Sequence, residues 1–305
     1  MKRILFIFLS MLFVVSVSYA QQKSVISVLE IVDVDNANRT IVKEFPFLIE
    51  APNWTPDGKW LIYNSQGKLY KISPDSPGEP VQINTDFATN CNNDHVLTFD
   101  GKQIGISHAS KEDHKSRVYR LPVEGGCPQL VTLLGPSYLH GWSPDNKYLA
   151  YCAERKNNYD IYIIPVEGGE EIRLTEAQGL DDGPEYSPDG NYIWFNSVRS
   201  GLMQIWRIKT DGSEQKQMTF DENRNSWFPH ISPNGERVVF LTYNKGDLEP
   251  GEHLANKNVE LRLMSSAGGE PETIVKLFGG QGTINVNSWA PDSRRFAFVS
   301  YRVNE

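Results

Sequence analysis

Trp54-Thr-Pro-Asp-Gly-Lys59 returns as Trp142-Ser-Pro-Asp-Asn-Lys147, Tyr186-Ser-Pro-Asp-Gly-Asn191, Ile231-Ser-Pro-Asn-Gly-Glu236 and Trp289-Ala-Pro-Asp-Ser-Arg294. A weaker copy is Leu97-Thr-Phe-Asp-Gly-Lys102. Counted at the proline (Phe99 in the weak copy), the intervals are 43, 45, 44, 45 and 58 residues, so there are six units. A period near 44 residues suits one propeller blade of four short strands. Within each unit, Pro presets φ and Asp-Gly supplies the chemistry of a tight turn. A β-rich run follows, such as Trp60-Leu-Ile-Tyr63 or Tyr192-Ile-Trp-Phe195. A second strand carries an aliphatic-aromatic pair (Leu69-Tyr70, Ile161-Tyr162, Ile205-Trp206), and a glycine turn such as Gly168-Gly169 leads to a short last strand. Asp57, Asp145, Asp189 and Asp292 occupy equivalent turns in different blades, so they are turn formers and not a catalytic carboxylate set.

The two ends of the chain complement one another. Fourteen residues follow Pro291, room for two strands, and the stretches 25–32 and 40–44 around the Asp35-Asn-Ala-Asn38 turn supply two more. The expected fold is all-β, a six-bladed propeller of four-stranded blades whose last blade is closed by N- and C-terminal strands. Ring closure of this kind removes exposed strand edges. The spacing of Asp33, Asp35 and Glu44 resembles a calcium loop, but Asn38 stands where glycine is required, so a plain hairpin turn is expected.

Ahead of the repeats, Lys2 and Arg3 precede an apolar run over residues 4–17 and small residues at Ser18 and Ala20. This is the layout of a secretory signal peptide, residues 1–20, leaving residues 21–305 as one propeller domain. The expectation is an exported protein, periplasmic or extracellular, without a transmembrane segment in the mature chain. No cysteine follows the cleavage position, so a lipoprotein anchor is not expected. Removing Lys2 and Arg3 from 30 basic and 38 acidic residues leaves 28 against 38, a formal charge of −10. That balance excludes a nucleic-acid backbone as partner and disfavours an anionic membrane. Cys91, Cys127 and Cys152 are odd in number and form no CxxC, so no zinc ribbon or redox pair is written.

Taken together, these turns and their aliphatic-aromatic strands resemble the repeats of the TolB-like β-propeller family over residues 24–305. The resemblance implies a propeller without the N-terminal α/β domain of TolB itself. Longer strings, including Leu180-Asp-Asp-Gly-Pro-Glu-Tyr186, Trp227-Phe-Pro-His230 and Gly279-Gly-Gln-Gly-Thr-Ile-Asn285, resemble a secreted, propeller-only subgroup. Prolyl-oligopeptidase-like enzymes share such blades, but the chain has no G-x-S-x-G motif. Oligogalacturonate lyases are similar in architecture and hold a divalent metal with histidines and a glutamine, whose spacing no segment here reproduces.

Propeller loops alternate between two faces. The Pro-Asp-Gly and Gly-Gly turns share one face, and all six histidines (His95, His108, His114, His140, His230, His253) are expected on the other. Candidate ligand-binding residues stand just ahead of the first strands, where the chains converge on the central channel: Asn53, Asp94, His140, Asp182, Glu185, Trp227, His230, Asn285 and Asn287. They vary where the rest of the repeat is regular, as a site grafted on a scaffold would. Trp227 has the form to stack on a sugar ring, and Arg199 to hold a carboxylate. The 58-residue interval marks an insertion over residues 245–258, a candidate binding loop carrying His253. A divalent metal is the one cofactor considered, held by His140, His230 and His253 with Gln281 or Asp182; no short-range ligand motif supports it. The leading expectation is a binding module for a carbohydrate, another small polar ligand or a protein partner. The alternatives are a glycan-active enzyme, a metal-assisted lyase or hydrolase using the same pocket, and an envelope scaffold protein.

Overall fold

The computed structural model describes residues 25–303. The expected signal peptide lies outside the described residues. Two strands, Val25–Asp33 (β1) and Arg39–Phe45 (β2), precede five complete blades. These are Glu50–Trp54, Leu61–Ser65, Lys68–Ile72 and Val81–Ile83 (β3 to β6), then Cys91–Leu97, Gln103–Ala109, Ser116–Pro122 and Gln129–Leu130 (β7 to β10). Ser137–Trp142, Tyr148–Arg155, Asn158–Pro165 and Ile172–Arg173 (β11 to β14) follow, then Asp181–Tyr186, Tyr192–Ser197, Gln204–Lys209 and Lys216–Gln217 (β15 to β18). The fifth is Arg224–Ile231, Arg237–Asn244, Lys257–Ser265 and Glu272–Gly279 (β19 to β22), and Arg295–Val303 (β23) ends the chain's regular structure. Each complete blade is an antiparallel sheet in sequence order. The six-bladed propeller read from the repeat is therefore the fold.

The last blade has the order β2-β1-β23, with nine residue pairs joining β1 to β23 from Val25↔Val303 to Asp33↔Arg295. One detail differs from the expectation. A single strand, not two, follows Pro291, and the innermost position is filled by the segment ahead of that turn. That segment is held to β23 by the Trp289↔Phe296 bridge, the Ala297 N–H to Ser288 carbonyl bond at 3.0 Å and the Ser288 hydroxyl on the Ala297 carbonyl at 2.6 Å. The buried Glu30 clamps the seam: Arg39 of β2 donates to it at 2.7 Å and Ser300 of β23 at 2.6 Å.

The repeated turn has one geometry in all six blades. Its third residue (Gly58, Gly101, Asn146, Gly190, Gly235, Ser293) takes a positive φ between 57° and 76°, which explains the preference for Gly and Asn there. In five blades the preceding Thr or Ser hydroxyl donates to the turn Asp or Asn, as Thr55 does to Asp57 at 2.7 Å and Ser232 to Asn234 at 2.7 Å. The aspartates thus serve the turns. The segment around Asp35 is a hairpin turn, as expected, pinned by Arg294 on Asp33 at 2.7 Å and Arg237 on Asp35 at 2.9 Å. Cys91, Cys127 and Cys152 are all free. Among the described residues no helix is long and apolar enough to cross a membrane.

Leu29 is fully buried in the seam among Val299, Trp54 and Phe45, whereas Ile41 of β2 is half exposed. Leu29→Ala is expected to cost about 3 kcal/mol and Ile41→Ala less than about 0.5 kcal/mol, read by urea denaturation. Equal losses would show that the seam does not hold the ring.

Candidate functional site

The innermost strands line the channel, and most candidate residues lie in these strands or, in the last blade, in the segment standing in their place, while Arg199 and His253 stand in loops between outer strands. In each of the five complete blades the innermost strand breaks register: between Glu50 and Asn53, Cys91 and His95, Leu139 and Gly141, Asp182 and Glu185, and Trp227 and His230. Three of these bulges share a pattern, a positive-φ residue before proline: Ala51-Pro52, Gly183-Pro184 and Phe228-Pro229. Proline cannot donate to a ladder and inside an inner strand marks a bulge. The bulge divides the candidates between the loop-face mouth and the waist of the channel.

Asp94, His140, Asp182, His253, Gln281 and Asn285 come together at the mouth on the loop face, around a cavity of about 440 Å³. Asn92, Asn93, Tyr138, Cys152, Tyr159, Leu180, Phe228 and Gly251 complete its lining and were not among the candidate residues read from sequence. Asn92 and Asn93 are direct neighbours of Asp94, and Phe228 sits at the bulge; the proline pattern was the available signal. Glu50 stands beside them, accepting from Asn93 at 3.3 Å. Burial, helped by the charge of Asp94 and only partly offset by that bond, pushes its carboxyl up to about 7.

His140 is the centre of this mouth. It lies 3.4 Å from Asp182 and 3.8 Å from Asp94, and its ring stacks on Phe228 with centroids 5.8 Å apart. Burial disfavours the charged ring, but Asp94 and Asp182 outweigh it and raise the imidazole to about 9. Burial pushes Asp94 up to about 6 against the pull of His140. Burial also opposes ionisation of Asp182, yet the adjoining His140 holds it below the usual carboxylate value. His253, delivered by the inserted loop, lies 4.0 Å from Asp182 and 4.5 Å from the Trp227 ring. Burial lowers it, so it is neutral near pH 7. The insertion is therefore a loop laid on the channel mouth; the carbonyl of Leu254 accepts from Tyr243 at 2.9 Å and leaves no room for a side chain at Gly280. Burial raises the Cys152 thiol well above its ordinary value, which keeps it from acting as a thiolate.

Several expected site residues lie elsewhere. Asn53, Glu185, His230 and Asn287 sit beyond the bulge, at the waist of the channel. Glu185 accepts from His230 at 2.7 Å, from the Ile231 N–H at 2.8 Å and from Asn287 at 2.6 Å. The other nitrogen of His230 lies 2.9 Å from the Ile284 carbonyl. With both nitrogens engaged, His230 is not a partner for His140 and His253, and among the described residues no group of three or more His, Cys, Asp or Glu is placed to hold a metal. The metal set His140, His230 and His253 is not assembled. Trp227 is fully buried against Phe228 and His253 and offers no face to a sugar. Arg199 is spent on Asp181 at 2.6 Å and lies over the Trp206 ring at 4.9 Å. Nor do all histidines share the loop face, since His95 is fully buried against the Ile62 carbonyl.

His140→Gln leaves Asp94 and Asp182 buried without their cation, and is expected to cost about 3 kcal/mol near pH 7.5. The stabilisation from His140 is complete below its unfolded value of 6.5 and is lost as pH rises through about 9. Below about 6 Asp94 takes up a proton and the variant's deficit shrinks. Urea denaturation across pH 5 to 10 checks this; a deficit independent of pH would overturn the ion cluster.

Comparison with known proteins matches this architecture. A TolB beta propeller domain model matches residues 140–275. The uncharacterized protein Atu1656 of Agrobacterium fabrum is 46% identical over 275 residues, 90% of this chain and 92% of that protein. A solved structure from Agrobacterium tumefaciens, assigned provisionally to TolB, superposes with a TM-score of 0.87 at 46% identity, covering 92% of this chain and 99% of the other. The Tol-Pal system protein TolB of Francisella tularensis is 24% identical over 70% of this chain, which spans only 50% of that protein. The chain belongs to the TolB-like β-propeller family.

Proposed function

We propose that the chain is an exported binding module that takes a carbohydrate or other small polar ligand at the loop-face mouth. The observation that carries this reading is the lining of one cavity of about 440 Å³. It combines the amides of Asn92, Asn93, Gln281 and Asn285 with the carboxylates of Asp94 and Asp182 and the rings of Tyr138, Tyr159 and Phe228. Fixed donors and acceptors beside aromatic rings suit a ring compound rich in hydroxyls. The support for export to the periplasm or the exterior is the signal-peptide-like layout of residues 1–20, a basic start, an apolar run and small residues.

Two other readings have their own support. Asp94 near 6 beside His140 near 9 forms a base and acid pair poised around neutrality, which favours a glycan lyase or hydrolase. The blade-connecting loops of the same face expose Leu48, Phe87, Leu133 and Phe220, the last two more than 70%, which favours a protein partner and an envelope scaffold role.

A thermal-shift panel of neutral and acidic oligosaccharides is expected to raise the melting temperature with one glycan class. Gln281→Ala, at a half-buried position, should diminish that shift at unchanged melting of the free protein. New reducing ends or unsaturated products, lost in His140→Gln, would move the assignment to an enzyme. No response to any glycan, with retention of an envelope protein lost in Phe220→Ser, would move it to a scaffold.

A further inference from the structure

The loop-face cavity holds more negative charge than its one cation covers. Asp94 and Asp182 arrive from two blades and flank the same His140 nitrogen, at 3.8 and 3.4 Å. Against the cost of burial, the two carboxylates keep His140 protonated at neutral pH, and His140 keeps Asp182 ionised. Asp94, raised to about 6 by burial, is ionised there as well. Two carboxylates thus face one imidazolium, and Glu50, raised to about 7 by burial, adds part of a third. Burial keeps His253 neutral, so it brings no charge. Among the described residues lining the cavity there is no lysine or arginine.

One oxygen of this group is left over. Asp94 Oδ2 accepts from the Asn92 amide. Asp94 Oδ1 accepts no hydrogen bond from any described residue, and His140 Nε2 at 3.8 Å is beyond hydrogen-bond reach. The side chain is only 6% exposed, and Oδ1 is not sealed off from the cavity that Asp94 lines. A buried anionic oxygen without a donor is costly, and a donor that brings positive charge removes that cost. The rings of Tyr138 and Tyr159 line the same space, and the faces of such rings attract an ammonium. The inserted loop, which reaches the cavity at Gly251 and His253, carries Asp247, Glu249 and Glu252 against Lys245, so the approach is negative as well.

We infer that this mouth takes a ring compound carrying a protonated amine, with the ammonium donating to Asp94 Oδ1. The inference rests on the reading of the mouth as a small-ligand site and names the chemical class that the site prefers. An ammonium supplies both the missing donor and the missing positive charge, whereas a hydroxyl supplies the donor alone. A hydrogen bond between ionised partners is about twice as strong as one between neutral groups. A neutral sugar is therefore the weaker ligand, and a uronate is repelled by the carboxylates.

The test uses the full purified protein near neutral pH and three sugars of one ring that differ at the last carbon: methyl 6-amino-6-deoxyglucoside, methyl glucoside and methyl glucuronide. Cyclohexylmethylamine and cyclohexylmethanol form a matching pair without sugar hydroxyls. Titration calorimetry and ligand-observed NMR are expected to show the amino sugar binding at least about tenfold tighter than the glucoside, and the glucuronide not at all. In Asp94→Asn the ratio of amino sugar to glucoside should fall below about threefold, and continued binding of the glucoside shows that the variant's site is folded. Equal affinity for amino sugar and glucoside would overturn the inference and leave the small-ligand reading standing. Binding of cyclohexylmethylamine over its alcohol, with no sugar bound, would uphold the ammonium and remove the sugar from that reading. Binding of the glucuronide, an ammonium preference that survives Asp94→Asn, or no binding of either amine would each overturn the inference.

Discussion

The antiparallel pairing of β1 with β23 is the contact on which the molecule depends. Blades of this kind touch only their neighbours, so an open array leaves two unpaired sheet edges and no fixed axis. Nine residue pairs, the buried Leu29 and the Glu30 clamp on Arg39 and Ser300 join the first strand of the ring to its last. With the ring closed, the six innermost segments converge, and only then does a channel exist for side chains to line. Asp94, His140 and Asp182 come from three different blades and meet through that convergence.

The bulge in each inner strand then decides what the channel presents. A regular strand alternates its side chains with a period of two. With three steps on β15 against two on its partner between Asp182↔Asn196 and Glu185↔Trp194, both side chains fall on the same side of the sheet and reach the channel at different depths, Asp182 in the loop-face cavity and Glu185 at the waist. Asp182 stays ionised against His140 in a polar cavity. Glu185 is satisfied by three protein donors and becomes part of the waist. Two carboxylates on one strand thus have different chemistry because of one unpaired backbone position. The inserted loop adds His253 to the loop-face mouth, where the repeat alone supplies no side chain of that reach.

Much of this was legible in the residues. The period of the Pro-Asp-Gly turn, its interruption at 58 residues and the leftover strands at the two ends read directly as six blades and a closed ring, because turn chemistry and strand alternation are local. The loop-face set of Asp94, His140, Asp182, His253, Gln281 and Asn285 was also visible as irregularity within a regular repeat. What was not legible was direction. Trp227 and Arg199 look like ligand groups in a string of letters, yet one fills the core and the other neutralises Asp181. Asn53, Glu185 and His230 stand at the waist and not in the loop-face cavity, each just past a bulge at Ala51, Gly183 or Phe228 ahead of proline, a pattern whose effect depends on the partner strand, and Asn287 joins them from the last blade.

The sequence by itself determined the number of blades, the turn geometry, the closure of the ring and the residue types gathered at its axis, since each follows from short-range propensity repeated six times. The tertiary structure alone decided which of those residues share a mouth, that His140 carries its proton between two buried carboxylates, and that the channel is divided at Glu185 and His230. These depend on distances between blades, on burial and on register, and none of the three is a property of any segment taken alone.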